Sequence, residues 1–316
     1  MWAFSADSAD ELWREVRSAI LGGDSVPWVE GRTGRTKEIR TALLTLRHPR
    51  DRWVVRRTPV NPAAALAEVI WIVLGRRDAQ FVNFWNPALP RFAGEDENYY
   101  GAYGYRLRKS YGFDQLAVAA EALLANADSR QVCLSVWHPE TDMPRVMGVP
   151  RSRDIPCNVV SMLKRRDQRL HWTQVMRSND FWLGLPVNLV QFTSLQEILA
   201  GWIGCEVGDY HHLSDSLHVY EPQWAELSQL PEAPRPPRNP DDLRLGYEAS
   251  MDRFEEIGRR MEVMLNPGTD AGELSALLPP EHWQVGYANI LRVVLADAAR
   301  RKRHFDLAGE VNERLH

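Results

Sequence analysis

Cysteine is scarce: Cys133, Cys157 and Cys205 are the only three in 316 residues, too few and too far apart for a disulfide framework. No Cys-x-x-Cys pair and no Cys/His spacing of a zinc site occurs, so no metal is expected. That usage fits a reducing, cytoplasmic setting. No stretch approaches the ~18 consecutive apolar residues of a membrane span, which excludes a membrane partner of that kind. Charge of one sign is also lacking: 38 Lys and Arg face 42 Asp and Glu, for a net −4. A broad basic nucleic-acid surface is thereby excluded, and any polyanion must be met by a local group of arginines. Repeats and low-complexity tracts are absent. The opening "MWAFSADSADELWREV" lacks the basic-then-apolar order of a secretory signal and reads as an N-capped amphipathic helix.

What is present is the balance of a globular protein, 44% hydrophobic and 25% charged, long enough for one large or two ordinary domains. "NPAAALAEVIWIVLGRR" (61–77) predicts a helix with Asn61 as cap, Pro62 in the first turn and Gly75 as stop. "DQLAVAAEALLAN" (114–126) predicts another, and the β-branched "RQVCLSVW" (130–137) a buried strand. Residues 157–180 read as strand, turn, strand with "KRRDQR" at the tip. Residues 185–208 read as a long apolar helix closing near Gly201 or Gly204, and "DYHHLSDSLHVY" (209–220) as a final strand. A proline-rich stretch (230–242) precedes two more helical patterns. The order points to an α+β fold, a mixed sheet covered by helices.

The middle third carries polar residues that packing does not require. "DIPCNVVSM" places Cys157 after a proline, "QVMRSND" groups Arg177, Ser178, Asn179 and Asp180 at a strand end, and "SLHVY" sets His218 and Tyr220 on one strand face. Taken singly, each has a plain structural reading, because a free cysteine is usually a buried hydrophobe and an arginine after a strand a solvated hairpin charge. Taken as an ordered set, they suggest a pocket.

That set resembles the thymidylate synthase family of folate-dependent pyrimidine nucleotide C5-transferases, over roughly residues 28–240. "GRTGRT" is similar to its phosphate-binding loop, "AEVIWIVLG" to its glutamate-bearing helix, "NFWNP" to its cofactor segment and "GAYGYRLR" to the Tyr–Gly turn. "ADSRQVCLSVW", "IPCN", "MRSND…LGLPVN" and "SLHVY" complete the order. The resemblance implies a thymidylate synthase-like domain over 1–242, with 243–316 as a C-terminal helical extension packed on it. It also implies a homodimer formed through a sheet face. Cys157 would be the thiolate that adds to carbon 6 of the base, with Glu68, Tyr103 and Asp180 as catalytic partners. Arg32, Arg177, Ser178 and, from the partner subunit, Arg130 would bind the phosphate of a pyrimidine nucleoside monophosphate. Asn179 belongs to the same polar row, Asn188 would read the base edge, and His218 and Tyr220 would hold the sugar hydroxyl. Trp85, Asp180, Leu183 and Gly184 would line the slot for 5,10-methylenetetrahydrofolate.

Departures from the synthase pattern bear on the product. Asn158 stands where the methylases usually carry histidine, Arg130–Gln131 where they carry paired arginines, and "EVNERLH" where they end in a small apolar lid. Without a lid to exclude water, water rather than hydride would quench the methylene intermediate and give a 5-hydroxymethyl nucleotide. "MRSND" and "SLHVY" look more like the phage deoxycytidylate hydroxymethylases, and similar departures occur in cytidylate hydroxymethylases of nucleoside-antibiotic pathways. Asn188 complements uracil, yet its amide can also turn its oxygen to the amino group of cytosine. The leading expectation is 5-hydroxymethylation of CMP or dCMP, and the alternative is a divergent synthase methylating dUMP. A non-catalytic nucleotide or RNA binder rests only on the basic "AARRKRHF" stretch (298–305), which a solvated helix face explains more simply.

Overall fold

Alternating apolar and polar residues build eight strands, all in one of the two compact units seen in a computed structural model that describes residues 2–22, 26–31, 34–55, 60–144, 148–231 and 234–315. The first unit comprises residues 1–60, 115–137 and 157–239, the second 61–114, 138–156 and 240–316.

The strands of the first unit are β1 (Trp2–Ala6), β2 (Trp28–Gly31), β3 (Gly34–Leu46), β4 (Cys133–Ser135), β5 (Asn158–Arg166), β6 (Arg169–Met176), β7 (Asn179–Asp180) and β8 (Glu206–Tyr220). They form one mixed sheet ordered β1-β3-β8-β6-β5-β4, with β2 beside β3 and β7 beside β8. Pairing is parallel for β1/β3, β6/β8 and β7/β8 and antiparallel elsewhere. One face carries helices Ala9–Leu21, Gln115–Ala125 and Gly184–Trp202. Register sends Leu44, His212, Gln174, Ser161 and Leu134 toward them as one buried row across five strands. The expected α+β class is observed.

The start of the chain differs from the helix expected there. Trp2–Ala6 is a strand beside β3, with Trp2 and Phe4 stacked at 6.2 Å, and the helix begins only after Ser8, whose hydroxyl accepts from the Glu11 N–H at 3.3 Å. The predicted strand over 130–137 shortens to Cys133–Ser135, and Cys133 on it is exposed. The apolar helix stops at Trp202, and Gly204 at φ +63° turns the chain into β8 three residues earlier than expected.

Helix Gly184–Trp202 holds a charge at full depth. Glu197 is buried and pairs with Arg52, also buried, and with Arg50 at 3.2 Å, while Arg52 donates to Ser194 Oγ at 2.5 Å. Removing one partner strands the other charge in low dielectric.

The second unit is built around helix Pro62–Val73. Asn61 Oδ1 accepts from the N–H groups of Ala63 and Ala64 at 3.0 and 3.4 Å, and Gly75 at φ +61° turns the chain just beyond. That helix is apolar nearly all round, and helices Tyr247–Leu265 and Val285–Arg301 pack on it. Helix Tyr103–Arg108 crosses it where Gly104 lies against the backbone of Ile72, so close that any side chain there would collide. Arg106 grips the buried Asp142 with two bonds, 2.6 and 3.0 Å.

Glu197→Ala is expected to lower unfolding free energy by about 3–5 kcal/mol, read from the urea midpoint at unchanged slope. Burial opposes ionisation of Asp142, but the bonds from Arg106 and from the His138 N–H hold its carboxyl below the ordinary value. A depressed carboxylate contributes stability that is complete above its unfolded value, about 3.9, and is lost as pH falls through the folded one. Thermal melts should therefore decline below about pH 4 in the wild type and decline less steeply in Asp142→Asn, which starts from a lower stability at neutral pH.

Candidate active site

The first unit gathers most of the expected residues at one end of its sheet. Cys157, half-exposed, immediately precedes β5, and Arg177 immediately follows β6. The register pairs Asn158 with Met176, and the Arg177 N–H donates to the Cys157 carbonyl at 2.9 Å, so the hairpin ends bring the thiol-bearing and guanidinium-bearing residues side by side. Arg177 is exposed, with its guanidinium 5.4 Å from the ring centroid of Trp137.

Ser178, half-buried, leads into β7, which pairs Asn179 with Leu217 and Asp180 with His218. The Phe181 N–H then donates to the His218 carbonyl at 2.7 Å. Asp180 Oδ1 accepts from the N–H groups of Trp182 and Leu183 at 2.7 and 3.0 Å, a turn that opens the helix beginning at Gly184. Leu183 is 39% exposed beside it, and a side chain on Gly184 would press on Asn179 Oδ1 at 3.1 Å. Just over one turn into the helix, buried Asn188 donates through Nδ2 to Asn179 Oδ1 at 3.1 Å and to Met176 Sδ at 3.4 Å. His218 and Tyr220 share a face as expected, their rings edge-on at 5.2 Å, and Ser216 links His218 Nδ1 (3.3 Å) to Glu38 (2.5 Å).

The second unit holds the other three. Glu68 is half-buried and is the only charged residue of its helix, and Asn86 Nδ2 donates to its Oε1 at 3.3 Å. Tyr103 starts the helix that Gly104 fits against Ile72. Trp85 is fully buried, edge-on to Phe84 at 4.7 Å, and its indole N–H has no partner among the described residues. Arg130 is exposed in the turn before β4, and Arg32 lies outside the described residues.

Four residues escaped the sequence reading: Trp137 under Arg177, Asn86 beside Glu68, and the buried pair His212 and Ser214 behind Asn179. Asn179 Nδ2 lies 2.8 Å from His212 Nε2 and 3.2 Å from Ser214 Oγ, and His212 Nδ1 lies 2.9 Å from the Tyr210 hydroxyl. The alternation "YHHLSDS" carried a faint signal, since it turns His212 and Ser214 to the face opposite His211. Burial pushes His212 down to about 3 and raises Tyr210, so both stay neutral. Asn158, at the position noted as divergent, is wholly buried and accepts from Gln174 Nε2.

The sequence profile of one family, thymidylate synthase, matches residues 30–260. The chain belongs to the thymidylate synthase family. Among individual proteins, it is similar to a deoxyuridylate hydroxymethyltransferase of Bacillus phage SP01, 31% identical over 70% of this chain and 59% of that one. A deoxyuridylate hydroxymethyltransferase of Pseudomonas phage M6 is 34% identical over 51% and 45%. A thymidylate synthase of Corynebacterium aurimucosum is 27% identical over 61% and 73%. The chain thus spans about half to three-fifths of the length of the phage relatives.

Proposed function

We propose that this member of the thymidylate synthase family transfers a one-carbon unit from 5,10-methylenetetrahydrofolate to carbon 5 of deoxyuridylate and releases the 5-hydroxymethyl nucleotide. The observation that carries the reading is the pairing of half-exposed Cys157 with exposed Arg177 across the hairpin end, in front of Asp180 and Asn188. Two phage relatives named for deoxyuridylate hydroxymethylation favour water over hydride as the final acceptor and uracil over the cytosine expected from sequence. Asn188, an amide rather than a carboxylate, agrees with uracil.

In this reading Cys157 Sγ adds to carbon 6, and the electron pair passes to carbon 5, which attacks the one-carbon unit. Arg177 favours the thiolate and binds phosphate, joined by Ser178, by Arg32 and by Arg130 of a second copy. His218 and Tyr220 hold the sugar. Glu68, which accepts from Asn86 in an otherwise apolar helix, would relay a proton through water, with Tyr103 as a further catalytic group. The folate supplies the carbon. Its ring would be held by a hydrogen-bonding carboxylate, Asp180, beside an exposed apolar side chain, Leu183, and Gly184, whose lack of a side chain keeps Asn179 Oδ1 clear, with Trp85 as a further cofactor-binding residue. Loss of the carbon 5 proton and departure of tetrahydrofolate would leave an exocyclic methylene on the base, to which water would add as the Cys157 thiolate leaves carbon 6.

The helix-free face of the sheet supports a homodimer. Cys133, Met162, Thr173, His211 and Thr45 form one open row across it, and Val160, Val175, Leu213 and Leu43 a second. Residues 1–242 would carry the chemistry, with 243–316 as a C-terminal helical extension.

A second reading keeps cytosine: set opposite the exocyclic amino group instead of ring nitrogen 3, the oxygen of Asn188 would accept from that base. Tritium release from carbon 5 of labelled dUMP, dCMP and CMP, with methylenetetrahydrofolate present, decides between them. Release from dUMP without dihydrofolate is expected. Dihydrofolate in step with release would make the chain a methylase, and release from dCMP or CMP alone would restore the cytosine reading. Cys157→Ala should reduce release to background, and Glu68→Gln should slow it about 10²–10³-fold with little change in nucleotide affinity.

A further inference from the structure

We propose that a buried relay, Tyr210–His212–Asn179, fixes which end of the Asn188 amide faces the substrate base and so sets the preference for uracil; this rests on the reading of Asn188 given above. The five side chains involved are almost fully buried: Tyr210, His212 and Ser214 at 0%, Asn179 at 2% and Asn188 at 8% exposure. No water competes for their hydrogen bonds there, so donors and acceptors must match along the chain.

The match runs in one direction. The amide nitrogen of Asn179 can only donate, so His212 Nε2 at 2.8 Å must accept, and the ring proton sits on Nδ1, where it is donated to the Tyr210 oxygen at 2.9 Å. Ser214 Oγ takes the second proton of the same nitrogen at 3.2 Å. Asn179 Oδ1 is thereby turned toward Asn188, whose Nδ2 donates to it at 3.1 Å and to Met176 Sδ at 3.4 Å. Both N–H bonds of Asn188 are directed inward, and its oxygen is the atom left for a ligand. Burial keeps His212 neutral far below working pH, so the relay does not reverse by protonation.

We place Asn188 opposite ring nitrogen 3, where uracil offers an N–H that the amide oxygen accepts and cytosine only a lone pair that repels it. With the proton of His212 on Nε2, every amide along the relay would turn over, and Asn188 would present an N–H suited to that lone pair. The tautomer of a residue that never touches substrate therefore chooses the base. His212 and Asn179 are positioning residues in this scheme, and Ser214 locks Asn179.

The test has two arms. Nitrogen-15 NMR of the full-length wild-type protein should show His212 as the Nδ1-protonated neutral tautomer, and the Nε2-protonated tautomer would overturn the proposal. Calorimetric titration with dUMP and dCMP should show wild-type preference for dUMP, falling by about tenfold or more in Asn179→Ala and in His212→Phe. Most of that loss should fall on dUMP, with the binding of inorganic phosphate unchanged. A selective wild type whose variants keep the same ratio within about twofold would sink the relay and leave the functional reading standing. A wild type that binds neither nucleotide would sink that reading, and the relay with it.

Discussion

Two backbone hydrogen bonds govern where the polar side chains of the sheet end can go: Arg177 N–H to the Cys157 carbonyl, and Phe181 N–H to the His218 carbonyl. The first closes the mouth of the β5–β6 hairpin, so the residue before one strand and the residue after the other are neighbours whatever the tip does. The second continues the two-residue β7 alongside β8, which places Asp180 beside His218 and sends the chain directly into helix Gly184–Trp202. A shift of one residue in either register would turn every side chain of that strand to the other face. The thiol and guanidinium would separate, and Asn179 would leave the helix side of the sheet. The chemistry proposed for Cys157 is thus a consequence of strand pairing before it is a matter of reactivity.

The helix-facing side of the same sheet is unusually polar for a core. The row Leu44, His212, Gln174, Ser161 and Leu134 puts three hydrogen-bonding side chains in the middle of five strands, and Gln174 alone bonds Ser161, Trp172 and Asn158. Apolar residues there would pack at lower desolvation cost. A network of this kind has few satisfied arrangements, so it holds the sheet end rigid, as a site that distinguishes one base edge from another requires.

Local signals were legible where one residue type does one job. Asn61–Pro62 announced a helix start, the apolar run after Gly184 a buried helix, and "KRRDQR" a hairpin tip. The polar groups of "MRSND" and "SLHVY" were legible as a cluster because spacing alone sets strand neighbours. β3 was not, since "GRTKEIRTALLTL" alternates weakly and Thr41 breaks the pattern with φ +55°. β1 was hidden because the capping signal at Ser8 belonged only to the helix that follows. His212 and Asn86 were hard to find: their partners lie 33 and 18 residues away, and only the strand alternation around His212 gave a faint mark.

Helix Pro62–Val73 illustrates the last kind of constraint. A helix with apolar residues on every side cannot end at solvent, and its surroundings in the second unit come from the two C-terminal helices, Tyr247–Leu265 and Val285–Arg301. Glu68 is the one ionisable group on it, and Asn86 is held to its carboxylate by a segment that the same unit also pins: Arg301 donates to the Trp85 carbonyl at 2.7 Å while Asp297 grips its Nε at 2.6 Å. The residues farthest along the chain therefore hold the strand of contacts that ends at Glu68. The C-terminal helices thus cover an apolar helix and hold the segment that bonds its one carboxylate, and removing them would expose the helix and loosen Glu68 together.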